Sequence, residues 1–194
     1  MKSKMIAARR ELPAKALLRR YSMAAGYVDC FAIDVKKRVS LAEYVEAFYT
    51  TGLFKLERVV LAAAGHSSSD VEARELAAGA RDKFAVWYVE DRTEQELLMC
   101  DITGRTRSWF KATPSRNGTP NETLLFFGSA ITPVVNVESG QTTIGPVFRA
   151  LIGPHVFYSR ALLAASAQRL QLQERGVVAR EGTAERSRVA DEPL

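Results

Sequence analysis

The spacing of apolar residues predicts a strand and then helices in the first half of this chain. Residues 27–35 alternate in character as a strand does, and a charged turn follows them. Ser40 with Glu43 three residues later forms a capping box, which is typical of a helix start. Gly52 is placed to end this helix. Its apolar stripe consists of Leu41, Tyr44, Val45, Phe48 and Tyr49.

Two more helical segments are predicted before residue 80. Ser69 with Glu72 forms another capping box and opens a weaker helix, which fades by Gly79. Between the first helix and this one, a second apolar stripe extends to Gly65. Its members are Leu53, Leu56, Val60 and Ala64.

Beyond residue 80 the apolar period falls from about 3.6 residues to about 2, which predicts strands. Because the connecting loops are mostly short, we expect these strands to form an antiparallel meander, with Thr103 and Gly104 as one hairpin turn. Residues 134–137 add one short strand. The four main runs lie at 84–90, 96–102, 105–112 and 122–132.

Two Gly-Pro pairs divide the C-terminal helical pattern. Gly145 and Pro146 open one segment, and Gly153 and Pro154 stop it and start another, because proline suits the first turn of a helix but interrupts its interior. The second segment ends near residue 172 and would span roughly 28 Å, enough to cross a sheet.

The positive charge is concentrated outside the predicted domain. The net charge is +5, and residues 1–20 hold seven Lys or Arg residues against one acidic residue. The body of the chain is therefore close to neutral, which gives no support for the basic face that nucleic-acid binding requires. We divide the chain into a basic, solvated extension at 1–26, a single domain at 27–173 and a disordered tail at 174–194, which lacks any apolar stripe.

Composition disfavours several other classes of protein. No apolar run reaches the roughly 18 residues that cross a bilayer, and the N-terminus lacks the apolar core of a secretory signal. Cys30 and Cys100 lie in apolar runs and are interpreted as reduced, which favours a cytoplasmic protein. The cysteines and histidines lack the spacing of a zinc site, and no glycine-rich phosphate loop is present. We therefore expect neither a metal nor a cofactor.

The order of these elements resembles a known superfamily. A strand, two helices, an antiparallel meander and a long closing helix, which includes the segment GPVFRALIGPHVFYSRALL, are similar to the START-like helix-grip fold of the SRPBCC superfamily, and to its bacterial branches in particular. The resemblance covers residues 27–172 and implies an α+β fold whose antiparallel sheet wraps around the C-terminal helix. Strand number departs from the pattern, because that fold usually has about six or seven strands and the sequence predicts five with clarity.

The resemblance also implies a function. Members of this superfamily bind lipids, sterols, polyketides or plant hormones in a cavity under the last helix, and some of them catalyse cyclisation there. We therefore expect this chain to bind a small apolar or lipid-like molecule, more as a carrier than as an enzyme. Two alternatives stay open: a cavity enzyme with cyclase-like or dehydratase-like acid–base chemistry, and an interaction protein whose cavity is filled by its own side chains. Homodimerisation stays open as well.

Eight residues are candidates for lining such a cavity. Large apolar side chains alternate along the meander strands, where core packing is the competing interpretation. Ionisable residues among them imply an ion pair or a ligand contact if they face inward, and solvated cross-strand pairs if they face outward. A histidine and a serine four residues apart share a face of the last helix, without the motif of a serine hydrolase. The candidates are Trp87, Met99, Asp101, Arg107, Trp109, Phe127, His155 and Ser159.

Overall fold

A seven-stranded antiparallel sheet is the centre of this α+β protein, which confirms the predicted fold class. The computed structural model describes residues 6–22, 26–115, 121–135 and 142–190, with side chains described except at 135, 142 and 174–190. The strands of the sheet are β1 Ala8–Arg9, β2 Tyr27–Val35, β3 Lys83–Phe84, β4 Trp87–Arg92, β5 Glu96–Asp101, β6 Thr106–Pro114 and β7 Thr123–Ile131. Their spatial order is β1-β2-β7-β6-β5-β4-β3. The predicted meander is therefore formed, and β2 closes it against β7.

A second, two-stranded sheet lies beside the main one. It pairs β8 Val134–Val135 with β9 Thr142–Thr143 in antiparallel fashion. The predicted short strand at 134–137 begins where β8 begins, and its last two residues lie outside the described residues. This small sheet leads the chain from β7 to the C-terminal helix.

Helices begin where the sequence predicts capping. They are α1 Leu41–Tyr49, α2 Gly52–Ala63, α3 Asp70–Ala78 and α4 Pro146–Ala190. The capping boxes at Ser40 and Ser69 are both formed. In each box the serine side chain accepts the backbone N–H of the glutamate three residues later, and the side chain of that glutamate accepts the backbone N–H of the serine. Gly52 is the first residue of α2, so the prediction that it ends α1 is wrong. The reason is that Thr51 caps α2 by accepting the backbone N–H of Phe54 at 3.1 Å.

The buried side of α2 differs from the predicted stripe except at Leu53, which packs against the core. Leu56 and Val60 are 65% and 66% exposed, whereas Phe54 is only 2% exposed. Both sets of residues fit a helical period, so the spacing alone does not distinguish them. The structure turns Phe54 and Leu61 toward the core. Glu57 lies between them on the same side of the helix.

Helix α4 is continuous through Pro154, so the predicted break at Gly153 and Pro154 is wrong. A proline at this position leaves the carbonyl of Ala150 without its usual amide donor. Ala150 and Pro154 are both exposed, so water can satisfy that carbonyl. The helix backbone continues to Ala190, into the predicted tail, and the division of the chain at residues 26 and 173 stays a prediction.

The first predicted meander strand is interrupted. The run at 84–90 is split between β3 and β4 because Ala85 has a φ of 51°, a left-handed conformation outside the strand region. The pairing of β4 with β5 also shifts register between Val89 and Asp91. Trp87 and Val89 nevertheless pack against the core on the helix side of the sheet.

The face of the sheet that contacts the helices, called the inner face, carries an aromatic core. Phe48 of α1 stacks on Phe127 of β7 with ring centroids 4.8 Å apart, and it meets Phe110 of β6 edge-on at 4.9 Å. Such aromatic pairs add roughly 0.5–1.5 kcal/mol each beyond the area they bury. Tyr44 also donates its hydroxyl to the backbone carbonyl of Phe126 at 3.1 Å. These contacts fix α1 against the centre of the sheet.

The N-terminal segment packs on the opposite, outer face of the sheet. Leu18 is fully buried there in a cluster with Trp109. Glu96 accepts the backbone N–H of Leu17 and the indole N–H of Trp109, both at 2.8 Å, and pairs with Lys111 at 2.7 Å. The expected solvated terminus is therefore wrong for this segment. An apolar outer face of an antiparallel sheet needs a cover, and this part of the chain supplies it.

Both cysteines are free thiols. Cys30 is buried on the outer-face side of β2, and burial raises the pKa of its thiol to about 12. Cys100 lies on β5, and two other strands separate β5 from β2. At about 4.8 Å per strand the two cysteines are far beyond the reach of a disulfide.

The burial of Leu18 predicts that the N-terminal segment contributes to stability. We expect Leu18→Ala to lower the free energy of unfolding by about 2–4 kcal/mol, since it empties a fully buried site. Ile6→Ala is the matched control in the same segment, because Ile6 is 61% exposed, and it should change stability by less than about 0.5 kcal/mol. Urea unfolding measures both. Equal losses for the two variants would contradict the packing of this segment.

Candidate functional site

A cavity of about 250 Å³ lies between the inner face of the sheet and helices α2 and α4. Its wall is mostly apolar and rich in aromatic rings. Strands β4, β6 and β7, together with α1, α2 and the first half of α4, all contribute side chains. The aromatic lining residues are Phe48, Tyr49, Phe54, Trp87, Phe110, Phe127, Phe148 and Tyr158.

The packing of α4 explains why this space exists. Full burial on α4 begins at Ser159 and continues through Leu162 and Leu163 to Leu170, so this part of the helix packs on the protein core. Leu151, in the first half of the helix, lines the cavity and is still 53% exposed. The first half of α4 therefore covers the sheet without filling the space beneath it.

A polar row crosses the inner face under the first half of α4. Strand pairing places Asp29 of β2 opposite Ser129 of β7, and Ser129 opposite Ser108 of β6. The two serines line the cavity. The next row along the same strands is Phe31, Phe127 and Phe110, which is entirely aromatic. The floor of the cavity therefore changes from polar to aromatic within one pleat.

Asp29 is the charged member of this row, and its side chain is fully buried. The Tyr27 hydroxyl donates to Asp29 Oδ2 at 2.9 Å, and the Ser129 backbone N–H donates to Oδ1 at 2.9 Å. His155 Nε2 on α4 lies 3.6 Å from Oδ2. Burial raises the pKa of Asp29, and the histidine and the two hydrogen bonds oppose that rise without cancelling it.

Ser159 and His155 form the other half of this polar group. Ser159 Oγ lies 3.3 Å from His155 Nε2, one helical turn away on α4. Asp29 approaches the same ring nitrogen. In a serine-hydrolase triad the carboxylate holds Nδ1 while the serine uses Nε2. The arrangement therefore does not match an activated serine nucleophile, although it suits a histidine held in place over the cavity.

The Ser129 hydroxyl is buried and has no hydrogen-bond partner among the described residues. The residue is 4% exposed, and it lines the cavity. Leaving a buried polar group without a partner costs about 1–3 kcal/mol, so such groups are rare in folded proteins. A hydrogen-bonding group beside Ser129 in the cavity would supply the missing partner.

A second polar group faces the cavity from the α2 side. Glu57 of α2 and Tyr158 of α4 both line it, and the Tyr158 hydroxyl donates a hydrogen bond to the Glu57 carboxylate. Burial raises the pKa of Glu57, because the one hydrogen bond from Tyr158 compensates only part of the lost hydration. Burial and the neighbouring carboxylate also raise the pKa of Tyr158. The pair bridges the two helices that flank the cavity.

Five of the eight predicted site residues border this cavity and three do not. Trp87, Phe127, His155, Ser159 and Arg107 are in its lining. Among the described residues, the lining does not include Met99, Asp101 or Trp109. Met99 belongs to the inner core and Trp109 to the outer-face cluster, and neither is exposed.

The ionisable candidates on the strands are occupied elsewhere. Arg107 directs its guanidinium to the outer face, where Nε lies 3.0 Å from Glu90 and the group stacks 4.5 Å from the Tyr21 ring centroid. Asp101 organises the hairpin turn, with Oδ1 accepting the backbone N–H groups of Arg105 and Thr106 at 2.8 and 3.0 Å. Burial would raise the pKa of Asp101, but the hydrogen bonds that it accepts outweigh that effect and lower it.

Sequence reasoning missed two acidic residues of the site. Asp29 interrupts an apolar strand, which is an unusual position for a charge and is a usable signal. Glu57 lies three residues after Phe54 and four before Leu61, so it falls on the buried stripe of α2 once that stripe is known. The sequence pattern favoured the other stripe of this helix, so Glu57 was not predicted to face the core.

Comparison with protein-family models, with curated proteins and with solved structures finds no match for this chain. Within the described residues, none of the helices has the length and apolar character that a membrane span requires. In that same part of the chain, no three His, Cys, Asp or Glu side chains are grouped closely enough to hold a metal ion. The geometry of the cavity is therefore the basis for a functional proposal.

The buried charge of Glu57 predicts a pH-dependent effect on stability. The carboxyl is protonated in both states well below its ordinary pKa of 4.5, and above the raised folded pKa it is a charge that burial has partly removed from water. Wild type should therefore lose stability relative to Glu57→Gln as pH rises. We expect the variant to melt about 2–4 °C higher at pH 8 and to match wild type near pH 4.

Tyr49 and Tyr158 are titratable groups next to Glu57, and both stay neutral throughout that range because their pKa values are raised. Glu94→Gln serves as the control, since Glu94 is exposed on the surface and its removal should give no such pH-dependent difference. Thermal denaturation at several pH values measures the effect. A Glu57→Gln variant that is less stable than wild type at pH 8 would contradict the assignment.

Proposed function

We propose that this protein binds a small, largely apolar molecule in the cavity between the sheet and α4. The observation that carries the proposal is the buried hydroxyl of Ser129, which has no partner among the described residues and lies in the floor of a mostly apolar cavity. An apolar cavity with a few converging polar groups is the usual form of a small-molecule site. The order of strand, helices, meander and closing helix, which resembles the START-like superfamily, supports the same proposal.

The volume limits the size of the ligand. A cavity of about 150 Å³ accommodates benzene, and drug-sized ligands occupy about 300–1,000 Å³. At about 250 Å³ this space suits a molecule of roughly ten non-hydrogen atoms. A whole membrane lipid or a sterol exceeds that volume, so the proposed ligand is a short-chain or single-ring compound.

The polar row favours a ligand that places a hydrogen-bonding group beside Ser129. Ser129 and Ser108 face each other across β6 and β7, and both line the cavity. A hydroxyl or carbonyl group of the ligand would satisfy the Ser129 hydroxyl, while the apolar body would pack against the neighbouring aromatic row. The hydrogen bond at one end and the apolar packing along the body together give the ligand a defined orientation.

Acid–base catalysis on a similar molecule is the second candidate function. It is favoured by His155, whose Nε2 lies within 3.6 Å of the buried Asp29 carboxylate at the edge of the cavity. Asp101 and Arg107, the other residues considered for this chemistry, are committed to the hairpin turn and to the outer face. Turnover of a bound ligand that stops in His155→Gln would favour this candidate over simple binding.

The proposal includes a cytoplasmic protein that works without nucleic acid. Two free cysteines, one with a strongly raised pKa, are compatible with a reducing compartment. A homodimer stays compatible with the proposal, since the cavity is complete within one chain.

Octanol is a suitable probe for this site because it combines an apolar body of the right size with one hydroxyl. Trp87 lines the cavity, so its fluorescence reports binding, and Trp109→Phe removes the second indole from the signal without touching the cavity. We expect a dissociation constant on the order of tens of micromolar. Ser129→Ala should weaken octanol binding about three- to tenfold, through the loss of one buried hydrogen bond.

Ser166→Ala is the matched control for this test. Ser166 is also a buried serine, but its hydroxyl donates to the Leu163 carbonyl at 2.8 Å and it does not line the cavity. Its removal should leave octanol affinity unchanged. Absence of octanol binding, or equal affinities for the two variants, would overturn the proposed role of the Ser129 hydroxyl.

A further inference from the structure

The cavity contains a carboxylate without a cationic partner. Glu57 lines the cavity, and among the described residues no Lys, Arg or His lies within ion-pair distance of it. Its hydrogen bond comes from the neutral Tyr158 hydroxyl. The nearest basic residue in the sequence, Arg58, binds Asp70 at 2.5 Å instead. The negative charge on the α2 side of the cavity is therefore open to a guest.

Two other ionisable groups near the cavity have a partner, and Arg105, which lies outside the lining, stacks 4.5 Å from the ring centroid of Phe148. Asp29 has His155 at 3.6 Å, and Arg107 is held by Glu90 at 3.0 Å. Neither pair offers a free positive charge to a ligand. Glu57 is consequently the charged residue of the lining that has no oppositely charged neighbour among the described residues.

Aromatic rings surround this end of the cavity. Phe54 lies on the same face of α2 as Glu57, one turn away, and its ring centroid is 5.9 Å from that of Trp87 and 4.8 Å from that of Tyr49. All three rings line the cavity. Ring faces attract cations electrostatically, and the attraction grows when water is excluded. A carboxylate set among aromatic rings is the chemistry that recognises an organic ammonium group.

We propose that the ligand of this cavity is an organic amine, with its ammonium group at Glu57 and an apolar body of about ten non-hydrogen atoms along the aromatic wall. This inference rests on the proposed binding function and names the chemical class of the ligand. An ammonium group supplies the positive charge that the described residues do not provide next to the Glu57 carboxylate. A carboxylate ligand would instead place a second negative charge in the same low-dielectric space, which is unfavourable.

The proposal also accounts for the presence of an acidic residue on the buried side of α2. An unpaired charge in this position destabilises the free protein, which is consistent with the raised pKa of Glu57. An ammonium ligand converts it into a buried, hydrogen-bonded ion pair. Binding groups that reduce the stability of the free protein are common where function requires them.

Octylamine, octanol and octanoate form a probe series with one apolar body and three head-group charges. Titrations of the full chain at pH 7, followed by Trp87 fluorescence or calorimetry, give the three affinities. We expect octylamine to bind at least tenfold more tightly than octanol, and octanoate to bind most weakly. In Glu57→Gln the preference for octylamine over octanol should fall to less than about twofold.

Glu94→Gln is the matched control, because it removes one negative charge from an exposed site and should keep the full preference for the amine. Thermal denaturation of each variant verifies that it is folded. Octanol binding without a preference for octylamine would overturn this inference and leave the proposed binding function standing. Failure of all three probes to bind the wild-type chain would overturn the binding function itself.

Discussion

The register between β2, β7 and β6 is the constraint on which the rest of this structure depends. Both faces of these strands are buried, with Phe31 packing under the helices and Cys30 packing under the N-terminal segment. A slip of one residue would exchange the two faces, so the register is fixed strongly. The same register places Asp29, Ser129 and Ser108 in one row across the inner face. Because burial of both faces fixes the register, and the register aligns these three residues, the polar row under α4 follows from the covering of both sides of the sheet.

Helix α4 converts this polar line into a site. The turns from Leu162 to Leu170 pack closely on the protein core, while the turns before them stand over the row and carry His155 and Ser159 toward Asp29. Pro154 lies in the exposed part of the helix, one residue before His155, where water can satisfy the carbonyl that has lost its amide donor. The helix therefore stays continuous, and the space beneath it stays open. The site and the helical cover are parts of one arrangement.

The polar groups of the cavity oppose the stability of the free protein. Ser129 keeps a buried hydroxyl without a partner, and Glu57 keeps a carboxylate in a site where burial raises its pKa. The aromatic core around Phe48 and Phe127 supplies stabilising contacts that compensate for such groups. Buried polar groups are normally paired in a folded protein, and the polar groups of this cavity depart from that rule. Such a departure is expected of a binding site.

Local signals in the sequence determined the elements, and only the tertiary structure decided which way they face. The capping box at Ser40, the strand at 27–35 and the meander depend on neighbours within a few residues, so they could be predicted. The inward stripe of α2, the outward guanidinium of Arg107 and the burial of Leu18 could not, because each depends on a surface that a distant segment provides. The helix and strand periods are compatible with burial of either face of such a segment. The face that is buried in the folded protein is the one that packs against another segment, because that arrangement has the lower free energy.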